Sequence, residues 1–174
     1  MIQNKRDYRF YCDEDTKALF FGGTPSFVDR IKNPILRYQK QLRKCEFYRN
    51  VYGSASVLYI ISKWKLRRMS YKLGIHIPEN TFGPGLRIAH WGTIIVNPRC
   101  RIGGYCTIHA GTNIGVDSRG GVPIIGDRCY IGPGAKIFGE IVIEDDCKIG
   151  ANAVVNKSFS AGSTIVGVPG TAIK

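Results

Sequence analysis

The chain has 174 residues, with 25 Lys and Arg against 13 Asp and Glu and a formal net charge of +12 at pH 7, a length that suits one domain with a small appendage. No run of eighteen apolar residues occurs, so we expect no transmembrane helix, and the N-terminal MIQNKRDYRF lacks the apolar centre of a signal peptide. None of the six cysteines stands in a C-x-x-C pair, which argues against a zinc ribbon or a redox motif. We therefore expect a cytoplasmic protein with reduced thiols.

Composition changes near Gly74. Residues 1–74 hold 16 Lys and Arg against 6 Asp and Glu, and only four of the 21 glycines. Residues 75–174 hold 9 Lys and Arg against 7 Asp and Glu, and the other seventeen glycines. We interpret residues 1–74 as a basic α-helical N-terminal segment and residues 75–174 as a separate glycine-rich domain.

The first two predicted helices lie before residue 50. Residues 7–20 form the first, which Gly22 and Gly23 end. Asn33 and Pro34 then resemble a helix cap and a first-turn proline. The apolar face that follows consists of Ile35, Tyr38, Leu42, Cys45 and Tyr48. The opposite, polar face consists of Arg37, Lys40, Arg43 and Lys44.

A further helix is predicted to begin near Ser54 or Ser56 and to end at Leu73, with Gly74 in the position of a C′ glycine. It runs through Val57, Ile61, Trp64 and Met69. Its cations are Lys63, Lys65, Arg67, Arg68 and Lys72. These cations form either a solvated face or a surface that attracts an anionic ligand, an acidic glycan or a lipid surface. No nucleic-acid partner is expected, because no known binding motif accompanies the charge.

The glycine-rich part carries a period of six residues. Large aliphatics recur at that interval from Ile102 to Val155, with one longer step of eleven residues between Ile114 and Ile125. Such a period is neither helical nor a two-residue alternation, and it indicates a repeat architecture with stacked units. Two insertions interrupt it: two extra residues between Ile88 and Val96, and five within 115–124.

Small residues stand four positions after the aliphatics. They are Cys100, Cys106, Thr112, Cys129, Ala135, Cys147 and Ala153. We interpret the four cysteines among them as fillers of a narrow interior rather than as reactive groups. Glycine often follows the aliphatic directly, at Gly103, Gly115, Gly126, Gly132 and Gly150. Glycine there suggests a corner where the backbone turns sharply or adopts a positive φ.

Three six-residue strands per turn predict a coil of about eighteen residues whose turns pair in parallel ladders ~4.8 Å apart. Counted through the insertions, Ile88, Ile108, Ile131 and Ile149 lie above one another. Over residues 75–174 this pattern resembles that of the hexapeptide-repeat acyltransferases. The resemblance implies a mainly β fold, a left-handed parallel β-helix preceded by the helical segment. The repeat alone does not specify a substrate, because non-enzymatic proteins use it too.

His90 and His109 are the candidate catalytic residues. Each follows an aliphatic of the same stack, one coil apart, so both imidazoles are expected at one edge, and both insertions lie close by in sequence. Histidine suits general-base catalysis near neutral pH. The alternative is that each is a corner residue bonded to backbone.

The local sequence sharpens the hypothesis for these histidines. GPGLRIAHWGTIIV, residues 83–96, resembles the segment of serine acetyltransferases and related O-acetyltransferases that carries their catalytic histidine. The resemblance implies that His90 takes the proton from an acceptor hydroxyl, whose oxygen attacks the thioester of acetyl-CoA. The segment TIHAGTNIG around His109 is similar to one in the sugar- and polysaccharide-modifying branch, which implies that His109 binds the acceptor or supports His90.

The later coils resemble the CoA-binding coils and tail of the same enzymes, at residues 123–155 and 166–174. In that family the pantetheine arm lies in a groove between subunits of a homotrimer. The positions that correspond to its CoA contacts are Val116, Pro133, Lys148 and Ala151. Lys148 is either a partner of a CoA phosphate or an outward lysine at a corner.

Two departures from the serine acetyltransferases concern the acceptor. Those enzymes have Asp directly before the catalytic histidine, where this chain has Ala89, and an Arg-His pair where it has Gly121 and Val122. Holding a small charged amino acid requires paired charges. The resemblance therefore favours the enzymes of surface-polysaccharide synthesis.

The sequence thus predicts an acetyl-CoA-dependent O-acetyltransferase without a metal, most simply a homotrimer, whose acceptor is a hydroxyl of a sugar or surface-polysaccharide precursor. The basic helices are expected to contact an anionic membrane or a lipid-linked glycan. Three alternatives remain open: a serine O-acetyltransferase of cysteine biosynthesis, a non-catalytic assembly protein, and a metal enzyme resembling the β-helical carbonic anhydrases. The last needs three histidines, and His76 lies off the shared edge.

Overall fold

The computed structural model describes residues 1–173. Its N-terminal part folds into four helices. They are α1 (Lys5–Leu19), α2 (Phe27–Lys32), α3 (Pro34–Tyr52) and α4 (Val57–Leu73). The three predicted helices are present, with Asn33 capping α3 and Gly74 in the left-handed conformation at the end of α4. No helix of the described residues is both long enough and apolar enough to cross a membrane.

Helix α2 was not predicted from the sequence. This helix has only six residues, too few for an apolar period to show, and none of its side chains is buried. A capping box holds it, in which the Ser26 side chain accepts from the Asp29 amide and the Asp29 carboxylate accepts from Ser26. The pair Ser26 and Asp29, three residues apart, was the sequence signal from which this helix could have been predicted.

From residue 75 onwards the chain forms short strands on three sheets. They are β1 (Ile75–His76), β2 (Arg87–Ile88), β3 (Ile94–Val96), β4 (Arg101–Ile102), β5 (Thr107–Ile108), β6 (Asn113–Gly115), β7 (Ile124–Ile125), β8 (Tyr130–Ile131), β9 (Lys136–Phe138), β10 (Val142–Ile143), β11 (Lys148–Ile149), β12 (Val154–Val155), β13 (Thr164–Val166) and β14 (Thr171–Ile173). The first sheet has the order β1-β3-β6-β9-β12, the second β10-β7-β4, and the third β14-β13-β11-β8-β5-β2. Only β14 runs antiparallel, against β13.

The register confirms the predicted parallel β-helix. Ile88 pairs with Ile108, Ile108 with Ile131, and Ile131 with Ile149, as the count through the insertions requires. From β2 to β12 the chain visits the third, first and second sheets in rotation, so a position fixed relative to one aliphatic recurs at the same corner in every coil.

The interior is built as the period predicts. The stacked aliphatics are buried, and so are the small residues four positions after them, each at most 1% exposed. All six cysteines are free. Burial raises the pKa of the Cys100 and Cys147 thiols, so both stay protonated and inert. The four cysteines predicted to fill the interior are all buried, as their structural interpretation requires.

Of the two alternatives predicted for the glycines after the aliphatics, a sharp turn or a positive φ, the positive φ was wrong. None of the five has a positive φ; left-handed residues lie elsewhere, including Tyr105, Arg128 and Asp146 at one recurring corner. At Gly103, Gly126 and Gly132 glycine is required by space instead, because an added Cβ would lie closer than 3.0 Å to backbone atoms of the next coil. A Cβ at Gly132 would lie 2.7 Å from the Ile149 carbonyl oxygen in the next coil, closer than carbon and oxygen approach. The coils stack too tightly there for a side chain.

Replacing Gly132 by alanine should therefore destabilise the coil stack by about 1–3 kcal/mol, the usual cost of overpacking. Gly115→Ala is the matched control, because its added methyl meets only the Asn113 side chain, at 3.3 Å. Chemical denaturation of both variants tests this. Equal stabilities of the two variants would contradict the steric explanation.

Helix α3 seats the N-terminal segment on the first coil. The Tyr38 hydroxyl donates to the Ile75 carbonyl at 3.4 Å and accepts from the Ile77 amide at 3.3 Å, and the Gln39 amide donates to the Leu86 carbonyl. The apolar face of α3 is continuous with the interior of the β-helix. The helices thus cover the end of the coil stack, which would otherwise expose apolar side chains and unpaired strand edges.

The prediction that Arg43 belongs to the solvent-facing side of α3 was wrong. Arg43 is fully buried. Its guanidinium pairs with Asp15 of α1 at 2.8 Å and with Glu46 at 3.0 Å, and donates to the carbonyls of Phe82 and Gly83 at the first coil. A buried charge is stable only when paired in this way. Arg43 therefore joins α1, α3 and the β-helix.

Candidate active site

The structure brings His90 and His109 together at one corner of the β-helix. His90 follows β2 and His109 follows β5, where the chain passes from the third sheet to the first. Strands β2 and β5 are paired, and the two imidazole centroids lie 6.4 Å apart. His90 is exposed and His109 is half-buried. The expectation that both lie at one edge is thus met.

The two-residue insertion forms the loop that carries His90. Three backbone hydrogen bonds fix this loop: the Gly92 amide donates to Leu73, the Ile94 amide donates to Gly74, and the Gly111 amide donates to Thr93. The C-terminus of α4 therefore anchors the loop on one side and the next coil anchors it on the other. His90 projects from a braced loop, as a catalytic base requires.

His109 lies among groups that disfavour its charged form. Its Nε2 atom is buried without a hydrogen-bond partner, and the Tyr130 ring is 5.1 Å away between centroids. Burial lowers the pKa of His109 below 6.5, and the charges of Arg87 and His90 add to this effect. At neutral pH His109 is therefore a neutral imidazole, in which one ring nitrogen is a donor and the other an acceptor.

A pH-dependent stability follows from that lowered pKa. The unfolded chain binds the His109 proton more readily than the folded one, so this group contributes nothing at high pH and destabilises the fold as pH falls through the unfolded pKa of about 6.5. When the pH is lowered from about 7.5 to about 5.5, the free energy of unfolding of His109→Gln should fall less than that of the wild type. Urea unfolding across that range measures the difference. Parallel pH profiles would contradict the prediction.

Arg87 and Tyr130 also lie beside the histidines, although neither was predicted from the sequence to belong to the site. Arg87 pairs with Thr107 and Thr107 with Tyr130, so all three point outward in one column beside His109. The Arg87 guanidinium also lies 4.2 Å from the Phe21 ring centroid. The register count could have found them, since each stands one position before a stacked isoleucine.

Three of the four residues predicted to bind CoA lie along the third sheet and the corner of the histidines. Pro133 and Ala151 each stand two residues after a stacked isoleucine, in the column of His90, and Lys148 is on β11 in the ladder of Tyr130. All three are exposed. Val116 follows β6 and lies at the next corner, between the first and second sheets.

The five-residue insertion does not adjoin the histidines of its own chain. It lies between β6 and β7, at the corner from the first to the second sheet. Asp117 shapes this loop by accepting from the amides of Arg119 and Gly121, and the Arg99 side chain donates to Gly120. The Gly121 amide, and to a lesser degree Arg119, lower the pKa of Asp117. The sequence could not show this, because proximity along the chain does not tell which corner a loop occupies.

No group of three His, Cys, Asp or Glu within residues 1–173 is arranged to hold a metal ion. His76 lies on β1 in the first sheet and pairs with Ile95, so it is on a different face from the other two histidines. The β-helical carbonic anhydrase alternative therefore has no three-histidine site in this part of the chain.

Comparisons with known proteins agree with the repeat and the fold. The family described as "Bacterial transferase hexapeptide (six repeats)" matches residues 123–157. The "Serine acetyltransferase" of Staphylococcus xylosus is 38% identical over 129 residues, or 69% of this chain and 60% of that protein. The chain thus spans less than two thirds of that relative's length.

Two solved structures share the fold. The soybean serine acetyltransferase apoenzyme superposes with a TM-score of 0.82 at 21% identity, over 97% of this chain and 70% of that one. The Brucella abortus strain S19 serine acetyltransferase in complex with coenzyme A also gives 0.82, at 22% identity, over 97% of this chain and 68% of that one. The repeat and the stacked coils define a hexapeptide-repeat protein of the parallel β-helix class. Over 69% of its length the chain is similar to a serine acetyltransferase.

Proposed function

We propose that this protein is an acetyl-CoA-dependent O-acetyltransferase. The observation that carries the proposal is the pair of histidines, one on a braced exposed loop and one held neutral, at a corner of a serine-acetyltransferase-like β-helix. Acetyl-CoA is the co-substrate, since a similar fold is described in complex with coenzyme A.

In the proposed reaction His90 acts as the general base. Its imidazole removes the proton from the acceptor hydroxyl as that oxygen attacks the thioester carbonyl carbon. The carbon–sulfur bond then breaks, and the departing thiolate takes the proton from the imidazolium. General-base catalysis of this kind contributes about 10²–10⁴-fold. His109 binds the acceptor beside it.

CoA would lie along the corner below the histidines, against Pro133 and Ala151. Lys148 would bind a phosphate of CoA. Val116 lies at the next corner. It would contact the same CoA only if the CoA lies between two copies of the chain and the second copy provides Val116.

We therefore also propose a homotrimer with CoA between subunits. The second sheet supports self-association, because Ile124 and Val142 on its outer side are 52% and 46% exposed. Exposed apolar patches often mark protein–protein interfaces. Sedimentation equilibrium tests the assembly.

L-serine is the acceptor that the comparisons favour, because the curated relatives are serine acetyltransferases. This corrects the preference for a sugar hydroxyl drawn from the sequence. A sugar stays as the second candidate on one observation: Ala89, Gly121 and Val122 supply no charge at positions where the resemblance expects Asp, Arg and His.

The test is thiol release from acetyl-CoA in the presence of L-serine, and of a panel of nucleotide sugars and glycans. Release with L-serine and formation of O-acetylserine would assign the serine activity. Release only with a sugar would assign the second candidate. No release with any acceptor, together with no binding of acetyl-CoA, would reject acetyl transfer and favour a non-catalytic assembly protein.

A further inference from the structure

The outward face of α4 is apolar at its N-terminal half and is left exposed within residues 1–173. Val57, Ile60, Ile61 and Trp64 follow the i, i+3, i+4, i+7 spacing of a single helix face. They are 68%, 55%, 48% and 56% exposed. Full burial of such side chains is worth about 1.5–3 kcal/mol each, so leaving four of them in water is costly unless something covers them.

The same helix is charged with one sign only. It carries five Lys and Arg and no Asp or Glu. Lys63 pairs with Glu79 at 2.5 Å. Among the described residues, the other four cations of α4 form no salt bridge. They are Lys65, Arg67, Arg68 and Lys72. The Arg68 guanidinium lies 4.8 Å from the Trp64 ring centroid, so charge and apolar surface are contiguous.

A groove of about 550 Å³ between α3 and α4 adds to this charge. Its side walls hold six cations and no carboxylate. The cations are Arg37, Lys40, Lys44, Lys65, Arg68 and Lys72. Tyr8, Trp64 and Met69 supply its apolar part. A groove lined by charges of one sign creates a positive potential that attracts polyanions.

We infer that the outward face of α4 and the α3–α4 groove bind the surface of a lipid bilayer that contains anionic headgroups. An interfacial helix needs apolar and aromatic side chains that enter the headgroup boundary, with flanking Lys and Arg that meet the anionic lipids. Both are present here on one surface. A small soluble polyanion would use the groove but would leave the apolar face in water. A second copy of the chain would bring two surfaces of the same sign together, which opposes association.

The experiment is cosedimentation of the full chain with vesicles of phosphatidylcholine alone and with vesicles of phosphatidylcholine and phosphatidylglycerol in equal amounts. Binding to the mixed vesicles only, weakened by added salt, is expected. The triple variant Lys65→Gln, Arg68→Gln, Lys72→Gln should lose about a hundredfold in binding. The control Lys5→Gln, Arg119→Gln, Lys157→Gln removes equal charge from other exposed positions and should bind as the wild type does.

Tryptophan fluorescence tests insertion directly, because the chain has only two tryptophans. In a Trp91→Phe background, Trp64 emission should shift to the blue on mixed vesicles and not on phosphatidylcholine vesicles. Equal losses in the two charge variants, or vesicle binding without a shift, would overturn the proposal. So would binding to duplex DNA in place of vesicles, or loss of oligomers on Ile61→Ser without vesicle binding by the wild type. None of these readouts depends on acetyl transfer.

Discussion

His90→Ala is expected to reduce acetyl transfer by about 10²–10⁴-fold, the contribution of a positioned general base. The loss should fall on kcat, because the variant keeps His109 and the corner that we propose for CoA. Its side chain is exposed on a loop held by backbone hydrogen bonds, so removal of the imidazole should leave the fold and assembly unchanged. Steady-state kinetics and sedimentation together test the prediction.

His76→Ala is the matched control for that experiment. His76 is also exposed, but it lies on β1 in the first sheet and should not affect turnover. Wild-type turnover by His90→Ala would reject the assignment of the base. Equal losses in both variants would show that histidine removal acts through stability.

Arg43→Ala is expected to cause the largest loss of stability, about 3–5 kcal/mol, as breaking a buried ion pair usually does. Burial raises the pKa of Asp15 and of Glu46, and the Arg43 guanidinium opposes that rise. Without it, two buried carboxyl groups lose their main donor, and two carbonyls at the first coil lose theirs. For a chain of this length the melting temperature should fall by about 10 °C.

Arg37→Ala provides the comparison for this change. Arg37 is on the same helix but exposed, and its replacement should change the free energy of unfolding by no more than about 0.5 kcal/mol. Thermal and urea unfolding measure both. A cost of less than about 1 kcal/mol for Arg43→Ala would mean that the network does not hold the helices on the coil stack.

The β-helix could be predicted from the sequence because one interaction repeats in every coil. Each isoleucine must lie on the isoleucine of the coil before, so a period of six determines the register as well as the fold. The meeting of His90 and His109 followed from the same count. The histidine site was predictable because His109 stands one residue after a stacked isoleucine and His90 stands two residues after another.

The helical segment was less predictable, because α3 has a second buried face that hydrophobicity does not reveal. Leu36, Gln39, Arg43 and Glu46 have the same spacing as the apolar face and are all buried. Three of the four are polar and would be assigned to solvent by any apolar period. Their partners come from α1 and from the first coil, distant in sequence. Only tertiary contacts explain their burial.

The stacking of the coils fixes the distance between residues that lie on successive coils of the third sheet. His109 follows the strand of Thr107, and Lys148 lies two ladder steps further along, through Tyr130. Two steps of ~4.8 Å place these levels about 10 Å apart. That separation changes only when a whole coil is gained or lost. The backbone, rather than the side chains, therefore sets the length of the site that we propose for the thioester arm, in steps of one coil.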